Sequence, residues 1–140
     1  MKDKLLSKQG WVILLICIIS FFINNRVVVP DIMEARNMVT AREMVHDGNW
    51  LVPTMNGDLR LEKPPLPTWL TAVAEMISPD NLALQRAMAG FAAILLVAFF
   101  YLTAVQVMRN KRYAFISTIL LCTCYNIILM GRTASWDIYC

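Results

Sequence analysis

Three long stretches of the chain carry almost no charge. Trp11–Val29 spans 19 residues and is interrupted only by Arg26. Ala87–Met108 holds 22 residues and Tyr113–Gly131 holds 19, neither with a charged side chain. A 19-residue helix is about 28 Å long at 1.5 Å per residue, close to the hydrocarbon thickness of a bilayer. One run this apolar would suit the core helix of a soluble domain. Three of them, with no core-forming sheet pattern between, predict three transmembrane helices. The fold class expected is therefore all-α, a polytopic membrane protein with three transmembrane helices and a large outer loop carrying juxtamembrane helices. The first run follows Lys2, Lys4 and Lys8 but has no small-x-small cleavage site after it, so it reads as an uncleaved signal anchor.

The segment between the first two runs, Pro30–Asn81, has a different texture. Asp31-Ile-Met-Glu34 has the form of a capping box, an acceptor at the N-cap with a glutamate three residues on. A helix from about Ile32 to His46 follows, with Met38, Ala41, Met44 and Val45 on one face. Asp47-Gly48 should end it. Trp50–Pro53 reads as extended and Asn56-Gly57 as a turn. Pro64, Pro65 and Pro67 argue against regular helix at that point, and Leu66–Ile77 suits a helix lying at the membrane surface.

Composition agrees with the pattern. Hydrophobic residues make up 58% and charged residues 16% of the chain, and the mean hydropathy is +0.53, which argues against both a soluble domain and disorder. A net charge of +3 is too small to suggest a nucleic-acid partner. The placement of charge says more. Lysines precede the first run, and Arg109-Asn-Lys-Arg112 separates the second from the third. Both should be cytoplasmic by the positive-inside rule. Pro30–Asn81 holds eight acidic and four basic residues, a net −4, as expected of a loop on the opposite face. Cys17, Cys122 and Cys124 lie in apolar runs with no metal or redox spacing.

Polar chemistry gathers beside the outer membrane face. Asp31 and Glu34 follow the first run, Arg60-Leu-Glu62-Lys63 lies mid-loop, and Arg132…Asp137 follows the third run. A carboxylate at an interface can act as a general base toward a hydroxyl. Lys63, Arg60 and Arg132 can neutralise a departing phosphate. Glu62 can contribute to a divalent-metal site, although one carboxylate is not a site. Asp31 is equally suited to helix capping, Glu34 to pairing with it, and Arg132 to anchoring at the interface. Asp137, an acid just beyond an apolar helix, is a functional candidate by default. The four tryptophans fit interface anchors better than sugar-stacking platforms.

Glu34-Ala-Arg36, Ala41-Arg-Glu-Met44, Gly48-Asn-Trp50-Leu-Val-Pro53, Asn56-Gly57 and Glu62-Lys-Pro-Pro-Leu66 with Trp69 occur in that order and spacing. Together they resemble the first outer loop of GT-C membrane glycosyltransferases. More narrowly, they are similar to the dolichyl-phosphate-mannose–protein mannosyltransferases and the bacterial aminoarabinose lipid A transferases. The resemblance implies an inverting enzyme that moves a sugar from a polyprenyl-phosphate carrier to a hydroxyl or phosphate acceptor. The acceptor is a lipid, glycan or protein on the outer face of the cytoplasmic (inner) membrane. It also implies a loop-borne carboxylate as base. The family's acid falls on Met33 in an ungapped reading, which leaves Asp31 or Glu34 for that role and Asp137 as the second acid. Lys63 would bind the carrier phosphate. Glu62 would hold a divalent metal ion or orient the acceptor. Members carry many more spans than three, so the resemblance implies an N-terminal fragment, inactive alone. The alternative is a non-catalytic three-span module that binds a polyprenyl phosphate or a partner helix bundle.

Overall fold

A computed structural model describes residues 8–27 and 29–139 of the chain. Lys2 and Lys4, on which part of the charge argument rests, lie outside the described residues, as does Cys140. Among these described residues, six helices and one small hairpin follow in order. They are α1 (Lys8–Phe22), α2 (Ile32–Asp47), β1 (Thr54–Met55), β2 (Asp58–Leu59), α3 (Pro65–Ile77), α4 (Leu82–Met108), α5 (Lys111–Cys122) and α6 (Tyr125–Gly131). The mostly helical character expected from the pattern is what the chain forms.

Of the three transmembrane helices expected, one is plain in the structure. Among the described residues, only α4, with 27 residues, is long and apolar enough to cross a membrane by itself. It starts at Leu82, ahead of the apolar run, because Asn81 caps it by accepting a hydrogen bond from Leu84 N at 3.3 Å. Arg86 thus lies inside the helix. The third run is broken: α5 and α6 meet at a 63° bend and pass the same length test only as a pair. At the break, Thr123 Oγ1 donates to Ile119 O at 3.0 Å, a back-bond that bends helices. Helix α1 has 15 residues and stops at Phe22. The chain beyond it turns through Asn24 in the left-handed region (φ 59).

These helices pack through small side chains. Ile13, Cys17 and Phe21 of α1 are buried at four-residue spacing, as are Ala89, Ala93 and Val97 of α4. Each set forms one stripe along its helix. Cys122 of α5 joins them, with its Sγ 3.8 Å from that of Cys17. Two glycines make the approach possible. A Cβ on Gly131 would lie 2.7 Å from the Phe21 ring and 2.9 Å from Ala93 Cβ, and one on Gly90 would lie 3.0 Å from the Phe22 ring. Leu15, Ile18, Ile19, Phe91, Leu95 and Phe99 point away from the stripe and are exposed. Small residues inside and large apolar ones outside suit helices packed in lipid.

The loop between α1 and α4 is a folded layer. Ala41 and Met44 of α2 are fully buried against Ala72 of α3, with Val45, Trp50 and Trp69 around them, so three of the four residues expected on the apolar face of α2 take part, and its buried face continues through the polar Thr40, Asn37 and Glu34 rather than Met38. Gly48 ends α2 in the left-handed conformation (φ 75). The hairpin pairs Thr54 with Leu59 and Met55 with Asp58. Its turn, Asn56 (φ 56) and Gly57 (φ 82), has the two positive φ angles that a tight hairpin prefers. The Glu43 carboxylate of α2 accepts from Thr54 Oγ1 at 2.8 Å and from Asn56 N at 2.5 Å, which fastens the turn to the helix. The prolines do not exclude helix: Pro64 is the N-cap of α3 and Pro65 opens it, where a missing N–H removes no helical bond. The α3–α4 corner is held by the buried Glu75 carboxylate, which accepts from Asp80 N at 3.1 Å and Gln85 Nε2 at 2.5 Å.

Candidate active site

The capping box expected at the start of α2 forms only in part. Asp31 is the N-cap and its Oδ1 accepts from Ile32 N at 2.7 Å. Glu34 turns inward instead, and its relative exposure is 1%. It receives Arg86 Nε at 2.7 Å on one oxygen and Arg86 Nη2 at 2.8 Å on the other. Ala134 N also donates to Glu34, at 2.9 Å. Arg86 Nη1 continues to the carbonyl of Asn25 at 2.5 Å. One buried ion pair therefore ties together the end of α1, the start of α2, α4 and the segment after α6. Both charges are satisfied by a bidentate contact and extra hydrogen bonds, the condition under which a buried pair is tolerated.

Asn37, fully buried one turn further along α2, completes the clamp. Its Nδ2 donates to Ala134 O at 2.8 Å and Thr71 Oγ1 at 3.0 Å, and its Oδ1 accepts from Thr68 Oγ1 at 2.8 Å. The amide and the carbonyl of Ala134 are thus both held by side chains of α2. This fixes the short segment that carries Trp136 and Asp137.

Trp136 is the meeting point of the basic residues. The Arg60 guanidinium carbon lies 4.9 Å and Lys63 Nζ 5.4 Å from its ring centroid, within cation–π range. Arg60 is buried and donates to Arg36 O at 2.7 Å and Thr40 Oγ1 at 2.8 Å. Burial lowers its pKa, with the nearby Arg36 charge adding to that and Glu62 opposing it. Lys63 is exposed, so its ammonium is accessible while its position is set by the ring. Asp137 is exposed beside Trp136 and accepts from Ser135 Oγ at 3.0 Å. The tryptophan expected to be an interface anchor is thus a buried platform for two cations.

The remaining candidates fall elsewhere. Arg132 donates through Nη2 to the Ile23 carbonyl. It lines a cleft of about 200 Å³ with Asn24, Asn25, Arg86 and α6, and none of these residues lines the space beside Arg60 and Lys63. Glu62 is exposed in a second cleft with Asp58, Arg36 and Arg60. Two carboxylates among two guanidinium groups are a poor donor set for a divalent ion. No group of three His, Cys, Asp or Glu residues placed to hold a metal occurs among the described residues. Sequence reasoning missed Asn37 and the Trp136 platform. The available signal was a polar residue on the apolar side of α2, seven residues before Met44.

Residues 10–140 match the family model for dolichyl-phosphate-mannose–protein mannosyltransferase. The chain belongs to that family. Within the mannosyltransferase family, its relatives include two undecaprenyl phosphate-α-4-amino-4-deoxy-L-arabinose arabinosyl transferases. The one from Pseudomonas savastanoi pv. phaseolicola is 34% identical over 66% of this chain and 17% of its own length. The one from Shewanella sediminis is 31% identical over 77% of this chain and 19% of its own length. The crystal structure of ArnT from Cupriavidus metallidurans bound to undecaprenyl phosphate superposes with a TM-score of 0.76 at 21% identity. It covers 94% of this chain and 25% of that one, which establishes a shared fold. The chain thus spans about a fifth of the curated relatives it matches. The family matched is one of mannosyltransferases, and α4 is long and apolar enough to cross a membrane.

Proposed function

We propose that this chain forms the outer loop and first membrane helices of an inverting transferase that takes a sugar from a polyprenyl phosphate. The observation that carries the proposal is the pair of cations on Trp136 beside the exposed Asp137, on a segment clamped at Ala134. In this reading the loop faces the periplasm or the exterior, and the N-terminus and Arg109–Arg112 face the cytoplasm. The curated relatives are about five times as long, and in a protein of that length further residues would wall the site.

The reaction follows from the side chains. A carboxylate accepts the proton of an acceptor hydroxyl, and the freed oxygen attacks the anomeric carbon. The bond from that carbon to the carrier oxygen breaks with its electron pair, which leaves on the phosphate. Lys63 offers a mobile ammonium to that developing charge. Arg60, held by Arg36 and Thr40, adds a fixed positive field behind the ring. Asp31 is the better base, because both Glu34 oxygens are committed to Arg86 and one to Ala134 as well. Asp137 orients the acceptor. No step is assigned to a metal at Glu62.

The test is glycosyl transfer from undecaprenyl-phosphate sugar by membranes carrying the protein from its complete reading frame. Asp31→Asn and Asp137→Asn should each lower kcat at least 100-fold with thermal stability unchanged. Wild-type rates in both variants would overturn the assignment. Carrier binding without any transfer by the wild-type protein would favour the non-catalytic module.

A further inference from the structure

Residues 132–139 carry two of the candidate groups, Trp136 and Asp137, yet they form neither helix nor strand. The middle of this segment is buried all the same: Ala134, Ser135 and Trp136 are each at most 5% exposed. Buried backbone groups must find partners. At Ala134 both partners come from α2. Glu34 accepts from the amide at 2.9 Å, and Asn37 donates to the carbonyl at 2.8 Å. The direction of the Asn37 amide is set by α3. Thr71 Oγ1 gives its own proton to the Pro67 carbonyl at 3.0 Å, so toward Asn37 it acts as the acceptor, and it takes one Nδ2 proton at 3.0 Å. Thr68 Oγ1 donates to Asn37 Oδ1 at 2.8 Å. The second Nδ2 proton is thereby aimed at Ala134. A leucine of the same shape would offer that carbonyl nothing.

Two residues beyond Ala134, the Trp136 ring meets Arg60 and Lys63 at 4.9 and 5.4 Å. The same α2 holds Arg60, through the Arg36 carbonyl and Thr40 Oγ1. Ring and guanidinium are therefore both placed from one helix, and that helix carries Asp31 at its N-cap. We infer that Asn37 is a positioning residue for the carrier site: by holding the Ala134 carbonyl it sets the place of the Trp136 ring, and through the ring the place of the Lys63 ammonium. Asn37 is fully buried and acts only through the segment it holds. The inference rests on the reading of Lys63 as the group that meets the carrier phosphate. It extends that reading to a side chain that never reaches the phosphate.

The test is a double-mutant cycle on the affinity for undecaprenyl phosphate of the protein in nanodiscs, with fluorine NMR of fluorotryptophan-labelled protein beside it. Asn37→Leu should weaken affinity roughly fivefold or more. In a Lys63→Ala background it should cost less than about twofold, because no ammonium is left to place. The Trp136 resonance, assigned by its loss in Trp136→Phe, should move in Asn37→Leu while that of Trp11 in α1 stays. Thr71→Val serves as the control for a purely structural role. It removes another bond of the same amide and leaves the Ala134 contact, so it should lower the melting temperature and keep affinity within about twofold. Should Asn37→Leu fail to fold, Asn37→Ser takes its place, being neutral and too short to reach Ala134. Unchanged affinity in a folded Asn37 variant would overturn the inference and leave the carrier reading standing. So would an unmoved Trp136 resonance, an equal loss in Thr71→Val, or losses that add to that of Lys63→Ala. Unchanged affinity in Lys63→Ala alone would overturn the carrier reading, and this inference with it.

Discussion

Glu34 shows how one side chain can be read in two ways. Three residues after an N-cap, it has the spacing of a local capping partner, and beside an acidic cluster it also has the look of a base. Its actual partner is Arg86, 52 residues away, and both groups are almost wholly buried. Removing one member of such a pair leaves the other charge unpaired, at a cost of roughly 3–5 kcal/mol. Glu34→Ala should therefore lower unfolding stability in detergent by about that amount, and Glu34→Ala with Arg86→Leu by clearly less than the sum of the two single changes. Additive losses would mean that the pair is not coupled. Tyr139 makes a second prediction at this scale. A phenol normally titrates near pH 10, and burial pushes that of Tyr139 up to about 12. The folded state then holds this proton more tightly than the unfolded chain does. Its contribution is intact below about pH 10 and is lost as pH rises toward about 12. Tyr139→Phe should flatten stability across that window, and unchanged pH dependence would contradict the burial argument.

At the scale of elements, the close approach of α1, α4 and α6 depends on absent side chains. Gly131→Ala would drive a methyl group into the Phe21 ring and Ala93. Overpacking of this kind costs typically about 1–3 kcal/mol, so the variant should melt earlier, and Phe21→Leu should restore part of the loss. Much of the loop layer was legible. The apolar face of α2 repeats with the helical period, and Asn56-Gly57 specifies its turn through local backbone preference. Pro64, Pro65 and Pro67 look like helix breakers in the sequence. At the first turn of a helix the missing N–H groups break nothing. The bend between α5 and α6 falls at Thr123-Cys-Tyr-Asn126, a polar dip in an otherwise apolar run, which a search for charge-free stretches passes over. The site was legible in part. Lys63 and Asp137 stand out by charge and position, but the joining of Arg60 to Trp136 is a tertiary contact, and no local pattern encodes it.

For the molecule as a whole, the distribution of charge predicts a topology. The acidic loop and Arg109–Arg112 lie at opposite ends of α4, so they should face opposite sides of the membrane. With the native cysteines replaced, a cysteine at Asn56 should react with a membrane-impermeant maleimide added outside intact cells, and one at Lys111 should not. The reverse pattern would invert the molecule and remove the loop from the outer face. The central claim is that this loop grips the phosphate of a polyprenyl carrier with Lys63 on the Trp136 platform. The most direct measurement is the affinity of the protein in nanodiscs for undecaprenyl phosphate, wild type against Lys63→Ala. A charge-assisted contact with phosphate is worth about 1.5–3 kcal/mol, or roughly 10- to 150-fold in affinity. A loss in that range, with unchanged melting, is the predicted result. Equal affinity in the two proteins would contradict the account.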